Sequence, residues 1–108
     1  MYTAKDFETV KDIVLQAVPG ALQVILFGSY AKGTAREDSD MDVMILLERE
    51  YGWLERRTVL NRIYQDTVRQ GYHIDFLFKT KESFEQDKVL PTISNIIANE
   101  GKVLWMKS

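Results

Sequence analysis

Apolar residues recur at intervals of three and four positions in three segments of the chain, and each of these segments predicts a helix. The first predicted helix covers residues 4–18, where apolar positions alternate with charged ones. Thr3 and Asp6 have the spacing of a capping box at its start, with Asp in place of the usual Glu. Pro19 and Gly20 then end the pattern, as helix-breaking residues do.

The second predicted helix covers residues 53–70, and Gly71 stands where a C-terminal cap is expected. Its predicted inward stripe consists of Leu60, Ile63, Tyr64 and Val68. The third predicted helix has Pro91 in its first turn and ends at Gly101. Its expected core residues are Ile93, Ile96 and Ile97.

Short apolar runs between these helices predict strands. Residues 22–27 and 41–47 are rich in branched apolar side chains, which is typical of buried strands. In residues 72–78, by contrast, successive side chains are expected to point to opposite faces of the strand. One face of this third strand is predicted to carry Ile74, Phe76 and Phe78, and the other His73, Asp75 and Leu77. A short edge strand is expected at residues 103–105, whereas residues 82–88 fit either a short polar helix or a loop.

The order of these elements predicts an α/β fold in which helices pack on one small mixed sheet. A length of 108 residues suits a single domain over 1–108, and contents of 45% apolar and 28% charged residues are ordinary for a globular protein. The net charge of −2 and the scattered Lys and Arg residues give no reason to expect direct nucleic-acid binding. With no cysteine, no signal pattern and no apolar run long enough to span a membrane, the expected location is the cytoplasm.

The connection after the first strand contains a candidate phosphate site. Glycine at the end of a strand, here Gly28, lets a ligand approach the backbone closely. If Ser29 caps a short helix through Lys32, its free N–H groups attract an anion, and the lysine adds positive charge. A Gly-Ser pair after a strand is more commonly a simple turn, so this feature alone does not establish phosphate binding.

Two aspartates open the second strand. Asp40 and Asp42 lie two positions apart and therefore point to the same side, with Cα atoms about 6.5 Å apart. Carboxylates this close repel each other unless a cation lies between them, and their oxygens are typical Mg²⁺ ligands. The alternative is a solvated turn over residues 38–40, with Asp42 as an ordinary edge residue.

A third carboxylate interrupts the apolar pattern of the third strand. A charge such as Asp75 within a buried strand is costly unless it is paired or bound to a metal. If this strand neighbours the one that starts at Asp40, three carboxylates meet beside the phosphate site, as metal-assisted nucleotidyl transfer requires. The alternative is a partly exposed Asp75 that pairs with a surface Lys or Arg.

Gly28-Ser29-Tyr30-Ala31-Lys32-Gly33, then Asp40-Met41-Asp42-Val43, then Asp75 together resemble the signature of the polymerase-beta-like nucleotidyltransferases. Within that superfamily the chain is most similar to the minimal nucleotidyltransferases, which are single-domain proteins. The resemblance covers residues 26–47 and 72–78 by motif, and the helices by length and position only.

The resemblance implies a role for each matching residue. Gly28 and Ser29 would bind the triphosphate of ATP, and Asp40 and Asp42 would bind two Mg²⁺ ions. Asp75 would bind the catalytic metal or activate the acceptor. Lys32 stands where many relatives have arginine, which keeps the charge but loses bidentate phosphate contact.

The resemblance also implies an activity and a partner. The expected reaction moves AMP from ATP to a hydroxyl group. The acceptor would be a tyrosine of a helical HEPN toxin, which the chain would thereby neutralise as an antitoxin. Two alternatives remain open: an antitoxin that masks its partner by contact alone, and transfer to a small molecule such as an aminoglycoside. A homo-oligomer is also possible, because larger relatives hold the base and acceptor with a second domain.

Four other residues are of uncertain role. His73, the only histidine, is expected near Asp75 but is interpreted as a strand residue before a catalyst. Tyr51, Trp53 and Trp105 fit either a partner surface or packing at the edge of the sheet.

Overall fold

The computed structural model describes all 108 residues. Five helices and four strands follow one another along the chain. They are α1 (Ala4–Ala17), β1 (Ala21–Phe27), α2 (Ser29–Lys32), β2 (Met41–Leu47), α3 (Trp53–Arg69), β3 (Ile74–Thr80), α4 (Lys81–Asp87), α5 (Ile93–Glu100) and β4 (Lys102–Met106). None of the helices has the length and apolar composition needed to cross a membrane.

The four strands form one mixed sheet in the order β3-β2-β1-β4. The pairs β1–β2 and β1–β4 are antiparallel, and β2–β3 is parallel. The 17-residue helix α3 makes the crossover that a parallel pair requires. The predicted α/β class, mixed sheet and edge strand are therefore confirmed.

Apolar side chains cover both faces of the sheet. The larger cluster joins the sheet to α1 and to α3, the latter through the fully buried Ile63. A smaller cluster on the opposite face holds Met44 and Leu46 of β2 against Phe84 of α4 and Ile97 of α5. The parity of β2 thus assigns Asp42 to the face with the smaller cluster, since it lies two residues before Met44.

The start of α1 agrees with its predicted capping box. The Thr3 side chain accepts a hydrogen bond from the Asp6 backbone N–H, and the Asp6 carboxylate accepts one from the Thr3 N–H at 2.7 Å. Asp6 also accepts a hydrogen bond from the buried Tyr72 hydroxyl at 2.9 Å, which ties α1 to the chain just before β3. These hydrogen bonds hold the pKa of Asp6 below its usual value.

Several predicted boundaries and faces were wrong. The third strand begins at Ile74 rather than at residue 72, so His73 precedes it. For residues 82–88, where a short helix and a loop were both open, the structure has the helix, α4. Thr92 caps α5, so Pro91 lies outside the helix instead of in its first turn. The predicted inward residues Tyr64, Val68, Ile93 and Ile96 are exposed, whereas Ile63 and Ile97 are buried as predicted. Periodicity identified an apolar stripe on each helix but not the part of the stripe that the sheet covers.

Candidate active site

The turn after β1 has a backbone that only glycine adopts readily. Gly28 has φ 70° and ψ −151°, and it is the N-cap of α2. Ser29 is therefore the first residue of the helix and not its cap, which corrects the sequence prediction. A methyl group at Gly28 would overlap Oδ2 of Asp42, so the absence of a side chain lets the aspartate stand against this turn.

Helix α2 is short, and aromatic packing fixes its position. Tyr30 is buried, packs edge-on against Phe7 of α1, and accepts a hydrogen bond from the Tyr2 backbone N–H through its hydroxyl. Gly33 ends the helix in the left-handed conformation. The first N–H groups of such a turn have no partner within the helix, so the turn presents donors to an anion.

Two aspartates stand side by side on neighbouring strands. Asp42 and Asp75 are register partners in the parallel β2–β3 pair, and Asp42 is also opposite Phe27 at the end of β1. Neighbouring strands are about 4.8 Å apart, which brings the two carboxylates close together. Asp75 has the same parity as Leu77 of the smaller cluster, so both aspartates project from the same face of the sheet.

The surroundings of Asp42 disfavour its negative charge, so the site would favour a bound cation. Burial raises the pKa of Asp42 above its ordinary value of 3.8, and the charges of Asp75 and Asp40 raise it further. Asp42 is half-buried, whereas Asp40 and Asp75 are exposed, so Asp75 is not the buried charge that its strand suggested. A cation near these three carboxylates would relieve their repulsion.

The donor set suits a hard divalent cation. Carboxylate oxygens with water and phosphate oxygens form the normal environment of Mg²⁺. The protein alone does not gather three or more His, Asp or Glu side chains into a finished metal-binding group. Asp42 lies between the other two carboxylates in electrostatic terms, because the charges of Asp75 and Asp40 add to the effect of burial in raising its pKa.

Lys32 already has an acidic neighbour. Its Nζ lies 3.4 Å from Oε2 of Glu100, the last residue of α5, and both side chains are about half exposed. This contact could not be predicted from the sequence, because 67 residues lie between the two positions and no motif joins them. Lys32 therefore lies near the candidate phosphate site, but its charge is already paired with the Glu100 carboxylate.

The histidine and the aromatic residues considered in the sequence analysis lie apart from the aspartates. The His73 backbone N–H donates to the Tyr2 hydroxyl, and its side chain is exposed just before β3. Tyr51 packs against Phe78, and Trp105 packs against the larger cluster, so both take the edge-packing role. Trp53 is 70% exposed at the start of α3. The surface hollows lined by Tyr51 and by Trp53 include neither Asp42 nor Asp75.

The sequence of the chain is similar to those of known proteins. The family profile described as "Nucleotidyltransferase domain" matches residues 7–104. The chain is 28% identical over 83 residues to the Methanocaldococcus jannaschii protein named "Putative protein adenylyltransferase MJ0604", with 77% of each chain covered.

Solved structures share the fold. A toxin-antitoxin crystal structure with AMP-PNP superposes with a TM-score of 0.64 and 20% identity, covering 94% of this chain and 74% of the other. A complex of the tri-AMPylated Shewanella oneidensis HEPN toxin with its MNT antitoxin gives a TM-score of 0.61 and 18% identity, covering 97% and 74%. At these identities the likeness shows a common fold.

Proposed function

The chain belongs to the nucleotidyltransferase domain family, and on that premise we propose that it transfers AMP from ATP to a tyrosine hydroxyl of a HEPN-type partner protein. The observation that carries the proposal is the register pairing of Asp42 with Asp75 beside the Gly28 turn. The names of the similar proteins, a protein adenylyltransferase and an MNT antitoxin bound to an AMPylated toxin, support the choice of a protein acceptor.

In the proposed reaction, the acceptor hydroxyl oxygen attacks the α-phosphorus of ATP. A bond forms between these atoms, the bond from the α-phosphorus to the bridging oxygen breaks, and pyrophosphate leaves. Gly28 and Ser29 would bind the phosphates through backbone N–H groups, and Lys32 would contribute charge after it separates from Glu100. Asp75, which is exposed at the surface, would accept the hydroxyl proton or hold a metal.

Asp40, Asp42 and Asp75 would together hold Mg²⁺, and two ions would fit the three carboxylates with the substrate phosphates. When bound, the metal supplies charge neutralisation and positions the attacking and leaving oxygens. Its binding would also relieve the repulsion that raises the pKa of Asp42. In this proposal the site is open at the surface of a small domain, so the partner protein supplies part of the contact to the acceptor.

The experiment uses ATP labelled on the α-phosphate, Mg²⁺, and the HEPN protein co-expressed with this chain. The test variant is Asp40→Asn, Asp42→Asn, and the matched control is Asp38→Asn, which changes an exposed aspartate of the same loop. We expect label on a partner tyrosine with the wild type and the control but not with the double variant.

Other results would change the conclusion. A stable complex without label, together with neutralisation that survives the double variant, would identify an antitoxin that acts by contact. Label on an aminoglycoside instead of the partner would identify a small-molecule nucleotidyltransferase.

A further inference from the structure

Tyr2 lies between two parts of the chain that carry candidate site residues. Its backbone N–H donates a hydrogen bond to the Tyr30 hydroxyl at 3.3 Å, and its own hydroxyl accepts one from the His73 backbone N–H at 2.8 Å. Tyr30 belongs to α2, which begins directly after Gly28, and His73 stands two residues before Asp75. Tyr2 therefore joins the candidate phosphate site to the beginning of β3.

Two buried tyrosine rings hold the ring of Tyr2 in place. It packs against Tyr30 with ring centroids 5.5 Å apart, and edge-on against Tyr72 with centroids 5.4 Å apart. Tyr30 and Tyr72 are buried, whereas Tyr2 is partly exposed. Aromatic pairs at these separations stabilise a structure beyond the apolar area that they bury. The Tyr2 hydroxyl consequently has a defined position relative to α2.

The hydrogen bonds of His73 extend this connection to β2. The His73 carbonyl accepts a hydrogen bond from the Met41 backbone N–H at 3.0 Å, while its N–H donates to Tyr2. Met41 stands between Asp40 and Asp42. The backbone at His73 thus contacts both the strand that carries Asp42 and the side chain that packs on α2. The turn and both strands of the candidate site meet through this one residue pair.

The hydrogen bond between His73 and Tyr2 is accessible to solvent. Water can therefore replace the Tyr2 hydroxyl, and no buried donor would be left without a partner if the hydroxyl were removed. The cost in stability should be small for that reason. The cost in reaction rate should be larger, because a displacement of about 1 Å at a reacting group can reduce the rate about 100-fold.

We propose, as an extension of the function proposed above, that Tyr2 is a positioning residue for nucleotidyl transfer. It holds Asp75 and the Gly28 turn in the relative position that the reaction needs. Tyr2 precedes residues 7–104, which the nucleotidyltransferase profile matches, so family membership assigns it no role. Its hydroxyl acts on the chain before Asp75, and its ring acts on α2. The hydroxyl should therefore affect kcat, and the ring should affect ATP binding.

Two substitutions of Tyr2 separate these contacts, in the assay with labelled ATP, Mg²⁺ and the co-expressed HEPN protein. Tyr2→Phe keeps the ring and removes the hydroxyl, so we expect kcat to fall about 10-fold with an unchanged Kd for ATP in calorimetry. Tyr2→Ala also removes the ring, so the Kd for ATP should rise as well. Tyr72→Phe is the matched control, because it too loses a hydroxyl hydrogen bond, at 2.9 Å, but one to Asp6 of α1. This control should keep the wild-type kcat.

A second measurement does not depend on catalysis. The amide hydrogen of Met41 should exchange faster in Tyr2→Phe than in the wild type, because its acceptor on His73 is held less firmly, and Tyr72→Phe should leave this rate unchanged.

The outcomes distinguish this role from the proposed function. If the wild type transfers no label, the proposed function fails, and faster Met41 exchange in Tyr2→Phe would still show that Tyr2 holds these elements together. Unchanged exchange at Met41 would overturn the proposal. So would a Tyr2→Phe variant that transfers AMP as fast as the wild type, or a Tyr72→Phe variant that loses as much activity as Tyr2→Phe.

Discussion

Replacement of Gly28 by alanine tests whether the turn positions Asp42. Its φ of 70° and ψ of −151° lie in a region that L-residues avoid, and the new methyl group would overlap Asp42 Oδ2. Backbone strain of this kind costs about 1–3 kcal/mol. Alanine also restricts the unfolded chain more than glycine does, which favours the folded state by about 0.4–1 kcal/mol. We therefore expect Gly28→Ala to lower the free energy of unfolding by about 1 kcal/mol, before any cost of moving Asp42.

The effect on activity should be larger than the effect on stability. Asp42 must move by enough to admit a methyl group, and displacement of a reacting group by about 1 Å can reduce the rate about 100-fold. The measurements are urea unfolding and AMP transfer, with the activity assayed well below the melting temperature of each variant. A loss of about 1 kcal/mol corresponds to a decrease in melting temperature of about 4–8 °C for a small domain.

Gly33→Ala and Gly71→Ala are the matched controls. Both glycines have positive φ, at 76° and 83°, but a methyl group at either position meets nothing within 4 Å. Neither has the contact to Asp42, and Gly33, with φ 76° and ψ 18°, lies in the left-handed helical region, where a side chain costs less than at Gly28. If Gly28→Ala loses no more activity than Gly33→Ala, then the turn does not position the aspartate, and the reasoning fails.

Four further changes test other parts of the structure. Asp42→Asn should raise the unfolding free energy at pH 7 while abolishing transfer, because the raised pKa of Asp42 means that its charge opposes folding. That gain should vanish near pH 3, since wild-type Asp42 is then protonated in both states, and a gain that persists there in urea unfolding would refute the assignment. Lys32→Gln should weaken ATP binding measured by calorimetry. Glu100→Gln should tighten it up to about five-fold at low salt by freeing the lysine, and an unchanged affinity would show that the 3.4 Å pair does not compete with ATP. Thr3→Ala should destabilise the protein by about 1 kcal/mol through loss of the α1 cap, whereas Thr3→Ser should keep most of that energy in the same unfolding assay.

Most of the candidate site could be predicted from the sequence because strand periodicity is strict. Positions two apart share a face, so the parity of Asp42 and Asp75 could be predicted once each strand was identified. That β2 and β3 are neighbours could only be assumed, since the crossover through α3 determines it. The Lys32–Glu100 contact could not be predicted, because it joins two helix ends whose approach depends on the packing of α2 and α5 against β1.

The helices show what hydrophobic periodicity could not predict. The stripe on α3 was predicted correctly at Ile63 but wrongly at Tyr64, which is exposed and packs only edge-on against Phe76. On α5, Ile97 reaches the core while Ile93 and Ile96 remain in solvent. A pattern of 3.6 residues cannot distinguish an apolar side chain that faces the sheet from one that faces a partner.

The division of Asp42 and Asp75 between β2 and β3 has a consequence for the order of folding. The antiparallel pair β1–β2 closes a shorter connection than the parallel pair β2–β3, whose strands are separated along the chain by the 17 residues of α3, so we expect β1–β2 to form first. Burial and the nearby charge of Asp75 both raise the pKa of Asp42, so the charged pair also opposes the contact between β2 and β3. Edge strands open more readily than central ones, so amide hydrogen exchange should be faster in β3 and β4 than in the central strands β1 and β2. A nucleotide bound across β2 and β3 would hold these two strands together and so reduce the local opening of β3.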